Sequence, residues 1–117
     1  MSTVSWGMRQ RYKFVSCGAL RSWVPPMMPA VYAITYKQDP HNKPKAHTVL
    51  YFGESEDLSQ QAMGHAQWVV DYWRRSGGGM ADDLFVFIHP MSGSSSHERS
   101  KVCERLVNEY QPHVNDV

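Results

Sequence analysis

Little in this chain is extreme, and its absences sort it first. Among 117 residues there are two cysteines, Cys17 and Cys103, and no CxxC pair. That is too few for a disulfide framework. Both read as free, mostly buried thiols of a cytoplasmic protein. The longest uninterrupted aliphatic or aromatic run is as short as "LFVFI" at 84–88. A helix needs ~20 to cross a bilayer, so no membrane partner is expected. The start, "MSTVSWGMRQRYKF", has no apolar core segment of the secretory kind, so no secretion signal is expected. Net charge is +1 with His neutral. Overall charge therefore announces no nucleic-acid partner, and any such binding needs a local patch. His41, His47, His65, His89, His97 and His113 show no HxxxH-type spacing. A metal site of paired ligands is not expected.

What is present fits one globular domain. The chain is 42% hydrophobic and 20% charged, with four Trp, six Tyr and four Phe. A domain of this size buries roughly two thirds of the surface its unfolded chain exposes, enough for one core without staples. Residues 1–29 read as irregular, with "RYKFVS" able to form a short strand. The prolines of "WVPPMMPA" exclude a helix interior or a central strand there. We divide the chain into a lead-in, 1–23, and a domain, 24–117. "AVYAITYK" (30–37) and "HTVLYF" (47–52) are rich in β-branched and aromatic residues and read as strands. The polar loop between them suits an antiparallel hairpin. Period 2 puts Tyr32, Ile34 and Tyr36 on one face of the first strand and Val31, Ala33 and Thr35 on the other.

A helix begins within "ESEDLSQQAMGH", with Ser55 or Asp57 as its cap. Gly64 weakens its middle, and "AQWVVDYWRRS" continues with helical spacing until "GGG" at 77–79. "DDLFVFIHP" reads as a strand buried on both faces. Ser95 and Glu98 form a capping box for a last helix with a buried stripe of Val102, Cys103, Leu106, Val107 and Tyr110. "QPHVNDV" reads as a tail after a proline stop. The expected fold is a small α+β domain with a three-stranded antiparallel sheet flanked by helices.

This order, with its letters, resembles the GIY-YIG nuclease family. "AVY" (30–32) stands at the first motif, "YFG" (51–53) at the second, and "GESEDL" follows it. His65 stands at the family's His position, and "LVNEYQPHVN" matches the closing segment with Pro112 and Asn115 in register. The resemblance covers residues 24–115. It implies a cleft lined by Tyr32, Tyr51 and His65, with Gly53, Ser55 and Asn115 as substrate-side positions.

Two positions depart from the pattern. The family's Arg falls ten residues after Tyr51, where this chain has Gln61. The family's metal-binding Glu falls three residues before the pair Leu106-Val107, where this chain has Cys103. A carboxylate suits Mg²⁺, which takes oxygen ligands, whereas a thiol is soft when ionised. Arg offers a charged bidentate donor to phosphate, and Gln does not. Losing one such stabiliser costs ~10²–10³ in rate. The resemblance thus implies a degenerate, catalytically impaired member that binds DNA or RNA, or a protein partner, with no cofactor. Mg²⁺ or Mn²⁺ enters only if the domain is active. The alternative is an active, divergent metal-dependent endonuclease using another carboxylate, such as Glu104. Glu54 and Glu56, beside the second motif, are weaker candidates. Arg99, one turn before Cys103, offers a route to a lowered thiol pKa, against an otherwise apolar stripe.

Overall fold

A computed structural model of the protein describes residues 3–37, 47–76, 84–112 and 114–116. The elements in chain order are β1 (Thr3–Trp6), β2 (Tyr12–Ala19), a 3₁₀ turn (Leu20–Ser22), β3 (Ala30–Lys37), β4 (His47–Ser55), α1 (Leu58–Arg75), β5 (Leu84–Pro90), α2 (Ser96–Tyr110) and a closing 3₁₀ turn (Val114–Asp116). The fold is α+β. The loop carrying His41, Lys43 and Lys45, the glycines 77–79 and His113 lie outside the described residues.

The sheet has five strands, in the order β1-β2-β5-β3-β4, not the three expected. Every pairing is antiparallel. The two additional strands come from the segment that reads as irregular. In β2, Tyr12 and Phe14 are buried on either side of exposed Lys13, which is strand alternation. The pattern then breaks at a bulge between Ser16 and Gly18, where Gly18 has φ 80°. A bulge of this kind scrambles period 2, and the strand's inner partner is far along the chain (Val15 opposite Ile88). No local signal reports such a pairing.

β5 is the middle strand, as its continuous apolar run requires. Alternation then divides the core into two layers. Ala30, Tyr32, Ile34, Leu84, Val86 and Ile88 meet the buried stripe of α1: Leu58, Ala62, Ala66, Val69 and Val70. Val31, Ala33, Phe52 and Phe87 meet Trp6, Phe14 and Leu106 on the side covered by α2. α1 is one unbroken helix. Gly64 is exposed in it, and its ~1 kcal/mol propensity cost is outweighed by the apolar stripe on both sides. Asp57 caps α1 by accepting from the Ser59 N–H at 3.0 Å. The Ser95–Glu98 capping box starts α2, with bonds of 3.2 and 3.0 Å.

The last residues are not a loose tail. Val114 is fully buried in the α1-side layer. Asn115 brackets the main chain of Phe52: its Oδ1 accepts from the Phe52 N–H at 2.9 Å, and its Nδ2 donates to the Phe52 carbonyl at 3.0 Å. One side chain thereby acts as a single residue of an added strand on the outer edge of β4. Among the described residues no helix is long and apolar enough to cross a membrane.

Candidate functional site

The site is built where β3 and β4 face the N-terminal half of α1. Tyr32 lies opposite Gly53, and Ile34 opposite Tyr51. A Cβ at Gly53 would sit 2.6 Å from both Cζ and Oη of Tyr32 and 2.7 Å from Cε2 of Tyr51. Glycine is therefore what lets both phenols occupy this space. A bulge at Leu50, between the Ile34–Tyr51 and Thr35–Val49 pairs, turns both Leu50 and Tyr51 toward the α1 side. Tyr32 is fully buried and Tyr51 half-buried, with ring centroids 6.0 Å apart.

α1 supplies the other wall. The Tyr32 hydroxyl and His65 Nδ1 share a hydrogen bond of 2.6 Å. Tyr51 stands edge-on to His65 and to Trp68, with centroids 6.3 and 6.0 Å away. His65 is exposed and Trp68 is 40% exposed, so together with Tyr51 they form an aromatic ledge open to solvent. Gln61, one turn before His65, is engaged by Ser55, whose Oγ donates to Oε1 at 2.6 Å. The same Oγ accepts from the Asp57 N–H at 3.1 Å.

Burial keeps the two phenols and the nearby Cys103 thiol neutral. Burial first, then the charge of Tyr51, pushes the Tyr32 phenol far above its ordinary range. Burial, then Cys103, raises Tyr51. Burial, then Glu54, pushes the Cys103 thiol up to about 12. Arg99 therefore does not activate this thiol. Near neutral pH the cluster offers phenol and imidazole hydrogen bonds, with no phenolate, no thiolate and no soft metal ligand. The half-buried Tyr51 phenol can donate to an anionic oxygen, whereas the Tyr32 hydroxyl is engaged by His65, and neither neutral phenol serves as a base.

The structure brings Tyr32, Tyr51, His65 and Gly53 together, and Gln61 with Ser55 beside them. Cys103 and Glu54 lie close enough to act on both phenols. Asn115 does not present its amide to a substrate, since both ends are held by Phe52. Glu104 is exposed and borders a shallow groove with Arg9, Lys101 and Arg105.

The sequence reading does not anticipate the Glu54–Arg99 pair. Arg99 Nε donates to Glu54 Oε2 at 3.0 Å, with the arginine side chain 2% exposed and the glutamate 27%. Its Nη1 donates to the Ser94 carbonyl and hydroxyl at 2.8 and 2.9 Å. A buried guanidinium is held only where such partners compensate its lost hydration. The signal was the helical spacing 99, 103, 106, which puts Arg99 on the stripe of Cys103 and Leu106. Among the described residues no group of three or more His, Cys, Asp or Glu is poised to hold a metal ion. Comparison with models of protein families, with curated proteins and with solved structures finds no match to this chain.

Proposed function

We propose that this chain is a degenerate GIY-YIG-type domain that binds nucleic acid without cutting it. One observation carries this reading: the two positions where the resemblance calls for charge hold neutral groups. Gln61 is bonded to Ser55, and Cys103 keeps its proton, with a pKa near 12. Phosphodiester cleavage needs an activated nucleophile and neutralisation of the phosphoryl and leaving oxygens. A neutral phenol beside an imidazole can grip a phosphate oxygen or a base edge but supplies none of that charge. The ledge of Tyr51, His65 and Trp68 suits stacking by an unpaired base. Exposed Arg9, Arg11 and Lys13 around the β1–β2 turn offer local positive charge that the net charge conceals.

Incubation with plasmid DNA, DNA and RNA oligonucleotides, and Mg²⁺ or Mn²⁺ tests the reading. No nicking is expected. Oligonucleotide binding should weaken as salt rises, because phosphate contacts release counterions, and Trp68→Ala should weaken it further. Salt-independent binding to protein alone would replace nucleic acid with a protein partner. Nicking that requires Mg²⁺ or Mn²⁺ would end this reading in favour of a divergent endonuclease that uses another carboxylate.

A further inference from the structure

A second concavity lies on the outer edge of the sheet, a groove of about 460 Å³. Thr48, Val49 and Leu50 of β4 run along it, and β4 is an edge strand. Tyr72 and Trp73, near the end of α1, form one wall. Tyr110, Gln111 and Pro112, at the end of α2, form the other. Tyr36 packs on Trp73 with ring centroids 4.8 Å apart. The groove shares no lining residue with the phenol cluster, so this inference stands or falls apart from the proposed function.

Three features define what fits. No described lining residue carries a formal charge, so among the described residues a phosphate backbone finds no counter-charge in this groove. The walls are aromatic and prolyl, the surface that recognition grooves for extended or proline-bearing peptides present. The edge accepts main-chain pairing: the Asn115 amide already pairs both main-chain groups of Phe52, two residues beyond Leu50, and among the described residues no strand lies beyond β4. An open edge strand is a template for an added strand.

We propose that this groove binds an uncharged, extended segment of a partner protein. The segment continues along β4 from the point where Asn115 stops and lays an aromatic or prolyl side chain against Tyr72 and Trp73. Selection of random peptides displayed on phage against the whole chain tests this. Enriched sequences should be uncharged and carry an aromatic residue or proline. As synthetic peptides with blocked ends, they should shift the amide resonances of Thr48, Val49 and Leu50. Thr48→Lys places a charge at an exposed edge position, and Gln111→Glu places one on the opposite wall. Each should weaken binding at least tenfold, with an unchanged thermal melt as the check on folding. Failure to enrich any sequence over the Thr48→Lys chain would overturn the proposal. So would enriched peptides that are charged, shifts confined to Tyr51 and Trp68, or oligothymidylate displacing the peptides from the groove.

Discussion

On the α2 side of the sheet, Trp6 meets Phe14, Phe52 and Phe87 edge to face, with centroids 5.0, 5.8 and 5.4 Å away. On the α1 side, β3 and β4 present three phenols: Tyr32 hydrogen-bonded to His65, Tyr51 edge-on to His65 and Trp68, and Tyr36 packed on Trp73. One layer is centred on aromatic packing, with the Tyr12 and Tyr110 hydroxyls bonded only at its edge, and its stability follows the volume it fills. The other ends in phenols, an imidazole and a half-open indole, and its stability is shared between packing and hydrogen bonds. Strand alternation alone assigns neighbours such as Phe52 and Tyr51 to these different roles. A cleft needs polar groups at its rim, and the α2-side layer leaves the α1 side free to carry them.

Substitutions on the two sides should therefore differ in size and kind. Phe52→Ala in the α2-side layer removes a ring that is 1% exposed and is expected to cost ~3–5 kcal/mol, read by chemical denaturation. A much smaller loss would mean that the layer collapses around the cavity, and the contrast would fail. Gly53→Ala, at the boundary, forces a methyl group against two phenols. It should cost ~1–3 kcal/mol and lengthen or break the Tyr32–His65 bond, visible in the His65 ring resonances. Tyr32→Phe, on the polar side, deletes one hydrogen bond and should cost ~0.5–1.5 kcal/mol with the fold intact. Trp73 Nε1 is buried with no acceptor among the described residues. Trp73→Phe removes that donor, so its cost should fall well below that of Phe52→Ala.

Alkaline titration sharpens the comparison. Cys103, Tyr32 and Tyr51 all have folded pKa values above their ordinary ones. The unfolded chain ionises first, so the neutral groups stabilise the fold fully below the ordinary thiol value of 9.0. For Cys103 that stabilisation is lost as pH rises from 9.0 to about 12. Cys103→Ala should flatten this part of the stability profile. A thiolate absorbance appearing in the folded protein near neutral pH would contradict the neutral cluster and reopen the case for a reactive cysteine.

Local chemistry determined several features outright. Val31–Tyr36 alternate between the two core layers because successive residues of a strand point to opposite faces. Ser95 and Glu98 satisfy each other's neighbouring amides within four residues, so their capping box is readable without a fold. "LFVFI" is a central strand because only a strand covered on both sides is apolar throughout. The candidate site was legible to the same extent: Tyr32, Tyr51, Gly53 and His65 stand in order along the chain and meet in space.

Other features were decided only by packing between distant segments. β1 and β2 join the sheet through β5, and their own pattern is broken at the Ser16–Gly18 bulge. Arg99 is a surface residue by type, and it is buried because Glu54 arrives from β4 to compensate it, beside Ser94 just ahead of its own helix. Asn115 reads as a substrate-side residue in sequence and serves as an edge clamp in space, because Phe52 leaves both main-chain groups open. Short-range preferences select strands and caps residue by residue. Which charge is compensated, and which strand edge is covered, depends on partners that only chain closure brings together.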